Sequence, residues 1–291
     1  GAPDVGIGAT EQSRRVARSG RVHRTPHRSP WKNTGMLNVH LLQSEPKVTL
    51  GAAAPTIGPD IEARVNEIWQ REKQLRSHEL YNGRLFSVDH CDAKTIVGWI
   101  SEYRYFLAQR REPSLHAALK IKPLAVTGIL SCPDGVLFGR RSGRSEMEAG
   151  CWELVPSGGV DDAAVGSAGQ VSLERCILIE LEEETGIGAS ELSANSRAVA
   201  LVEDLQSHVT DVGIMLATAC SAAQIQRRFA ALGNREYSEL EIVAPAEVRA
   251  FRRNRADSLG AVSAALLDAL MQSGSGFPES AFDVAQDKPG A

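Results

Sequence analysis

Three glutamates, Glu180, Glu183 and Glu184, are the residues in this 291-residue sequence whose type and spacing best suit chemistry. At about 100° per residue they share one flank of a predicted helix, whose apolar stripe includes Ile177 and Leu181. Like charges this close raise each other's pKa, so a bound cation is the simplest way to keep all three ionised. Oxygen ligands favour Mg²⁺ or Mn²⁺ over zinc, and Mg²⁺ usually binds substrate phosphates as well, so the pattern indicates a phosphate-containing substrate.

A glycine pair lies upstream of this helix, at the end of the predicted strand in WELVPSGG, residues 152–159. Glycine lets a backbone approach a ligand closely. A glutamate-rich helix face by itself is usually a solvated surface, so the neighbouring turn is what favours a site. Ser172 is predicted as the N-cap of the helix, and Gly186 as its left-handed end.

The two segments together resemble the Nudix hydrolases. The box of that family begins with a glycine and ends in Arg-Glu-apolar-x-Glu-Glu-x-Gly-apolar, and ELEEETGI, residues 180–187, matches its latter half. A strand that ends in a Pro-x-Gly-Gly turn before the helix is also typical of the family. The resemblance implies that Glu183 and Glu184 ligate Mg²⁺ or Mn²⁺ together with the Gly159 carbonyl. It also implies that Glu180 ligates the metal or acts as the catalytic base.

The sequence departs from the family pattern at three places. Ile179 stands where the family has the arginine that orients Glu180. From Gly159 to Glu180 the chain is six residues longer than the family box. The early glutamate of the family has no counterpart, because counting back leads to Val171, and the neighbouring Gln170 is an amide. These departures leave the metal-ligating pair intact and remove the group that normally orients Glu180.

Other side chains are candidates for the same site. Arg140 and Arg141 could clamp substrate phosphates, but neighbours on a strand point to opposite faces, so at most one should reach the site. Trp152 and Cys176 are predicted to be packing residues. Family members often take a further acid from outside the box, and five acids are candidates: Glu203, Asp204, Asp211, Glu236 and Glu239.

The bulk composition excludes several classes of protein. A net charge of -4 and a pI near 6.0 give no general attraction to nucleic acid or to anionic membranes. No apolar run reaches the roughly 20 residues that span a bilayer. The five cysteines are widely spread and include no CxxC pair, which argues against a disulfide framework or a zinc site and favours the cytoplasm.

The elements that must position these residues fall into four stretches. Residues 1–57 are predicted to be a disordered leader, and residues 272–291 a tail. Residues 58–118 are predicted to form a small α+β segment, with a second helix interrupted near Pro113. Residues 119–271, which open with a hairpin at the turn CPDG, are predicted to form the Nudix domain. The resemblance implies an α/β/α sandwich around a mixed sheet for that domain.

The function implied is metal-dependent pyrophosphohydrolysis of a nucleoside diphosphate linked to another moiety. The segment 58–118 is faintly similar to the lead-in of Nudix enzymes that act on UDP-sugars, so a UDP-sugar is the first candidate substrate and an ADP-ribose-like dinucleotide the second. The alternative is a degenerate Nudix domain that binds a nucleotide as a sensor without hydrolysing it. Removal of mRNA caps is less favoured, because no basic, aromatic-interleaved surface is evident. Assembly as a homodimer is left open.

Overall fold

The computed structural model describes residues 36–76, 80–143, 145, 147–233 and 236–273. All of them lie in one compact unit of the chain. No helix among them is long and apolar enough to cross a membrane. Residues 1–35 of the predicted leader and 274–291 of the predicted tail lie outside the described residues.

The larger sheet is mixed and forms the middle layer. Its main strands, in spatial order, are β1 (Leu37–Leu41), β10 (Arg197–Asp204), β11 (Thr210–Ala217), β5 (Leu124–Cys132), β6 (Gly135–Arg141) and β12 (Tyr237–Val243). Two short strands, β7 (Trp152–Leu154) and β8 (Ser157–Gly159), pair with β6 and β5. Strands β11 and β5 are parallel, whereas β5 and β6 form the predicted antiparallel hairpin.

Helices cover both faces of this sheet because its strands alternate their apolar side chains. Leu130 of β5 packs in the same core as Ile177, whereas the adjacent Ile129 packs in the same core as Leu266. The layers therefore form the predicted α/β/α sandwich. One face carries α4 (Leu173–Thr185) and α5 (Ala222–Leu232), and the other α6 (Val248–Asn254) and α7 (Ala261–Gln272).

A second sheet of four strands accompanies the sandwich. Its order is β3 (Arg84–Cys91), β4 (Thr95–Glu102), β2 (Lys47–Leu50) and β9 (Gln170–Val171). A third core joins Leu85 and Trp99 of this sheet to Val65, Phe106 and Leu119. Those three residues belong to the helices α1 (Pro59–Arg76), α2 (Tyr103–Arg111) and α3 (His116–Leu119).

Two strands lie where the sequence predicts a disordered leader. Strand β1 pairs with β10, and β2 pairs with both β4 and β9. Residues 37–41 and 47–50 are therefore strands. Four of the five residues of β1 are exposed, so the apolar alternation that reveals a strand is missing there. Hydrogen bonds to β10, which is distant in sequence, place this strand in the sheet.

Candidate functional site

Helix α4 begins and ends at the predicted residues. Ser172 Oγ accepts a hydrogen bond from the Arg175 amide at 3.1 Å, and Gly186 follows the last turn with a φ of 72°. Ile177 and Leu181 are fully buried and fix the helix on the sheet. This orientation leaves the glutamate flank beside β8.

Glu180 lies directly against the glycine pair of β8. A Cβ atom built on Gly158 would lie 2.0 Å from Glu180 Oε1 and 2.1 Å from its Cδ, far inside van der Waals contact. Only glycine therefore allows this carboxylate to lie on the strand backbone. Gly159, which the motif marks as a metal ligand, is open, with nothing within 4 Å of a Cβ built there.

Glu184 is buried one turn further along the helix. Its Oε2 accepts a hydrogen bond from the Ser157 amide at 3.0 Å, and its Oε1 lies 3.2 Å from Tyr237 Oη. The same Tyr237 oxygen lies 2.7 Å from Glu153 Oε1, and a hydroxyl has one hydrogen to donate. Burial, followed by the charge of Glu236, raises the pKa of Glu184 well above its usual range. Tyr237 Oη therefore donates its one hydrogen to either Glu153 or Glu184, and it lies between the two carboxylates.

Four carboxylates form what we call the acid cluster: Glu180, Glu183, Glu184 and Glu236. Burial, followed by the charges of Glu236 and Glu183, raises the pKa of Glu180 to about 8. Burial also raises the pKa of Glu236, against the opposing charge of Arg141. Glu180 is therefore largely protonated near neutral pH unless a cation compensates the charge around it.

A cavity of about 460 Å³ lies beside the acid cluster. Gly158 and Gly159 line it together with the first half of β5, and Tyr103 and Phe106 of α2 add aromatic surface. Three arginines line it as well: Arg84, Arg110 and Arg141. Six acids also line it: Glu148, Glu153, Asp161, Asp204, Asp211 and Glu236. The lining is therefore acid-rich, so an anionic ligand needs additional positive charge.

Arg140 and Arg141 point to opposite sides of β6. Arg141 turns inward, and its guanidinium lies 2.6 Å from Glu153 and 3.3 Å from Glu236. Arg140 turns outward, half exposed, and lies 3.5 Å from Glu239. Of the two predicted phosphate-binding arginines, Arg141 is the one that the structure places on the cavity wall.

The ligand types of the site suit a hard cation, but the described side chains are not arranged to bind one. Carboxylate and carbonyl oxygens are the ligands that Mg²⁺ and Mn²⁺ prefer. Within the described ranges, however, no three Asp, Glu, His or Cys side chains are placed to hold a metal ion. Glu184 is turned toward Tyr237, Glu183 lies on the exposed surface of α4, and the Gly159 carbonyl accepts a weak hydrogen bond from the Cys176 thiol at 3.6 Å. Metal binding would require the glutamate side chains to rotate toward Gly159.

The five candidate acids outside the motif lie in different surroundings. Glu236 belongs to the acid cluster, since its charge raises the pKa of both Glu180 and Glu184. Asp211 is buried in the cavity wall. The other three contact residues of their own: Asp204 with Ser207, Glu203 with His40, and Glu239 with Arg140.

Two residues of the site, Glu153 and Tyr237, were not found from the sequence. Glu153 is the central residue of β7, whose three side chains are all buried, and a carboxylate in an apolar strand before a glycine turn was an available signal. Tyr237 gave no local signal, because its carboxylate partners lie 53 and 84 residues away in the sequence. The packing predictions for Trp152 and Cys176 are confirmed, since both residues are buried in the core.

No protein-family model matches this sequence, and no curated protein matches it. Its structure is similar to that of DR0079 from Deinococcus radiodurans, with 17% identity, a TM-score of 0.42 and coverage of 64% of this chain and 97% of that one. It is also similar to the MutT protein from Methanosarcina mazei Go1, with 19% identity, a TM-score of 0.35 and coverage of 52% of this chain and 94% of that one. A third similar structure is that of a bifunctional NMN adenylyltransferase/ADP ribose pyrophosphatase from Francisella tularensis, complexed with AMP and a Mn ion. Its identity is 14% and its TM-score 0.37, with coverage of 59% of this chain and 47% of that one. At these identities and TM-scores the reaction and the substrate have to be inferred from the site.

Proposed function

We propose that this protein is a Nudix-type, metal-dependent pyrophosphohydrolase. It cleaves a nucleoside diphosphate linked to another moiety into a nucleoside monophosphate and a phosphorylated moiety. The observation that carries the proposal is the acid cluster beside the cavity, with the Glu180 carboxylate lying directly on Gly158. The cavity volume of about 460 Å³ lies within the range of small-molecule sites, roughly 300–1,000 Å³.

The charge of the cavity supports a cation as part of the working site. A diphosphate is an anion, and acids outnumber arginines in the cavity wall. Opposed by this negative wall, the substrate would bind poorly by itself. A divalent cation is often the largest local charge in a site, so Mg²⁺ or Mn²⁺ at the acid cluster would attract the diphosphate of the substrate to that end of the cavity.

The residues take the following roles in this proposal. Glu183 and Glu184, with the Gly159 carbonyl, would hold the metal, which would supply a more acidic bound water and offset charge on phosphate oxygens. Glu180 accepts the proton of the attacking water at Oε1, the atom that Gly158 allows to reach the strand backbone. Arg141 binds a phosphate oxygen from the cavity wall, because a guanidinium matches phosphate geometry.

A nucleotide-binding module without hydrolysis is the second candidate function. Two observations favour it. Ile179, where the family has an orienting arginine, is exposed on α4, and the carboxylate of Glu184 is occupied by Ser157 and Tyr237. Such a protein would bind the nucleotide in the same cavity and release it unchanged.

A substrate panel with matched helix variants tests the proposal. Hydrolysis of UDP-sugars, ADP-ribose and related diphosphates is measured with Mg²⁺, with Mn²⁺ and with EDTA. Glu180→Gln and Glu183→Gln remove proposed functional carboxylates. Glu182→Gln is the matched control, because Glu182 is an exposed glutamate on the opposite flank of the same helix.

The expected result is metal-dependent turnover that both functional variants reduce at least about 100-fold, the usual cost of losing one electrostatic catalytic group. The Glu182→Gln control should keep the wild-type rate. Nucleotide binding without turnover of any panel member would identify the binding module instead. Equal turnover by all four proteins would show that the acid cluster is not the catalytic site.

A further inference from the structure

Asp211 is a buried carboxylate of which one oxygen has no partner. The residue is 6% exposed, and its Oδ2 accepts a hydrogen bond from Thr127 Oγ1 at 3.1 Å. Its Oδ1 is buried and makes no hydrogen bond with any residue that the structure describes. An unpaired acceptor in the interior is destabilising, so its presence on a cavity wall indicates a ligand that supplies the missing donor.

Strand pairing gives the position of Asp211 relative to the acid cluster. Asp211 of β11 is in register with Ala125 of β5, which in turn is in register with Gly159 of β8. Neighbouring strands are about 4.8 Å apart, so Asp211 lies roughly 10 Å from the glycine pair along the sheet. A sugar ring joined to a phosphate at Gly159 spans this separation.

Asp211 differs from the other acids in this part of the cavity. Glu148 Oε1 accepts a hydrogen bond from the Ala261 amide at 3.0 Å, and Asp204 accepts one from Ser207 at 2.7 Å. Both carboxylates therefore already accept hydrogen bonds from within the protein. Asp211 Oδ1 has none among the described residues, which leaves it for a ligand.

A hydroxyl is the ligand group that suits Asp211 best. Hydroxyls both donate and accept, so they pair with a carboxyl whether or not it is protonated. Burial raises the pKa of Asp211 to about 7, so both forms exist near neutral pH. An ammonium would pair only with the ionised form of Asp211, whereas a hydroxyl pairs with both forms.

We propose that Asp211, held by Thr127, is the subsite that recognises hydroxyls of the sugar joined to the diphosphate. This inference rests on the proposed function, because it takes the diphosphate to lie beside Gly159. Tyr103 and Phe106 supply aromatic surface to the same cavity, against which the apolar face of a sugar ring can pack. Asp211 is thus a specificity residue and takes no part in the bond cleavage.

Isothermal titration with Mg²⁺ tests the subsite without turnover. The probes are a nonhydrolysable methylene analogue of UDP-glucose, the matching analogue of UDP, and the amino-sugar analogue in which an ammonium replaces one hydroxyl. Wild type is compared with Asp211→Asn and Asp211→Ala. Glu203→Gln is the matched control, because Glu203 contacts His40 and Cys91 from the adjacent strand β10.

Asp211→Ala should weaken binding of the sugar-linked analogue at least about 10-fold, the scale of one hydrogen bond to a charged group, and Asp211→Asn should weaken it less, because an amide still pairs with a hydroxyl. Binding of the UDP analogue should change less than about 2-fold, and the control should match wild type. The subsite would be overturned if the Asp211 variants lost no affinity, or lost it equally for both probes. It would also be overturned if wild type did not prefer the sugar-linked probe, or if it bound the amino sugar more tightly. Failure of the proposed hydrolysis would appear separately, as a wild type that binds the sugar-linked probe selectively yet turns over no substrate.

Discussion

Replacing Asp211 by asparagine should stabilise the ligand-free protein, increasingly so as the pH rises. The substitution keeps the shape of the side chain and removes a carboxylate that is buried without a full set of partners. Burial raises the pKa of Asp211 to about 7, and Thr127 opposes the shift with one hydrogen bond. The charged groups that act on it, Glu153 and Glu148, are both negative and so disfavour its ionisation.

The magnitude follows from the two pKa values. An aspartate in the unfolded chain has a pKa of about 3.9, so the folded state holds this proton more tightly than the unfolded state. The contribution of Asp211 to wild-type stability therefore falls as the pH rises from about 4 to about 7, and it is constant above that. The linkage between folding and proton binding therefore makes Asp211 lower the free energy of unfolding by about 1.5 kcal/mol at pH 5 and by about 4 kcal/mol at pH 8. The advantage of Asp211→Asn should thus grow by about 2.5 kcal/mol between these pH values.

Urea unfolding measures this difference directly. Wild type and Asp211→Asn are unfolded at pH 5, 6, 7 and 8 in EDTA, and the free energies of unfolding are compared at each pH. Asp89→Asn is the control, because it makes the same chemical change at an exposed position on β3. An advantage of Asp211→Asn that is flat or that shrinks toward pH 8 would refute the reasoning.

Two further predictions concern the strands around the site. Gly158→Ala should lower kcat/KM at least about 100-fold, because the added Cβ displaces Glu180. Gly143→Ala should leave kcat/KM unchanged, because a Cβ at that position meets nothing within 4 Å. Steady-state kinetics and the Tm of both variants check this prediction, and equal rates would contradict the contact between Gly158 and Glu180. Arg141→Ala should cost about 3–5 kcal/mol of unfolding free energy, because it leaves the buried Glu153 carboxylate without its opposite charge. Arg140→Ala at the exposed neighbouring position should change the unfolding free energy by less than about 0.5 kcal/mol, and similar urea midpoints for the two variants would contradict this assignment.

Local chemistry accounts for the elements that were predicted correctly. Helix α4 was predicted with its bounds because Ser172 and Gly186 are terminal signals within the segment itself. The hairpin of β5 and β6 was predicted because a Pro-Asp-Gly turn separates two apolar runs. Helices α5 and α6 were not identified. In α5 only Ile225 is buried, and α6 is seven residues long, so apolar periodicity gave little signal for either.

Strand pairing over long sequence distances accounts for what was missed. Strand β9 is two residues long, and β1 buries almost nothing, so their neighbours in the sheets decide that they are strands. The same holds for Tyr237, whose hydroxyl contacts carboxylates from two other elements. Such contacts depend on register, which a single sequence does not specify.

The sequence by itself determined which carboxylates share the flank of α4, because helical spacing and the end signals of the helix are local properties. It also indicated a close-approaching glycine, although the structure gives the contact with Glu180 to Gly158 and leaves Gly159 open. Only the tertiary structure decided that Arg141 faces inward, that Glu236 joins the acid cluster and that Asp211 lines the cavity. The physical reason is that charge, burial and unpaired oxygens depend on which distant strands lie side by side.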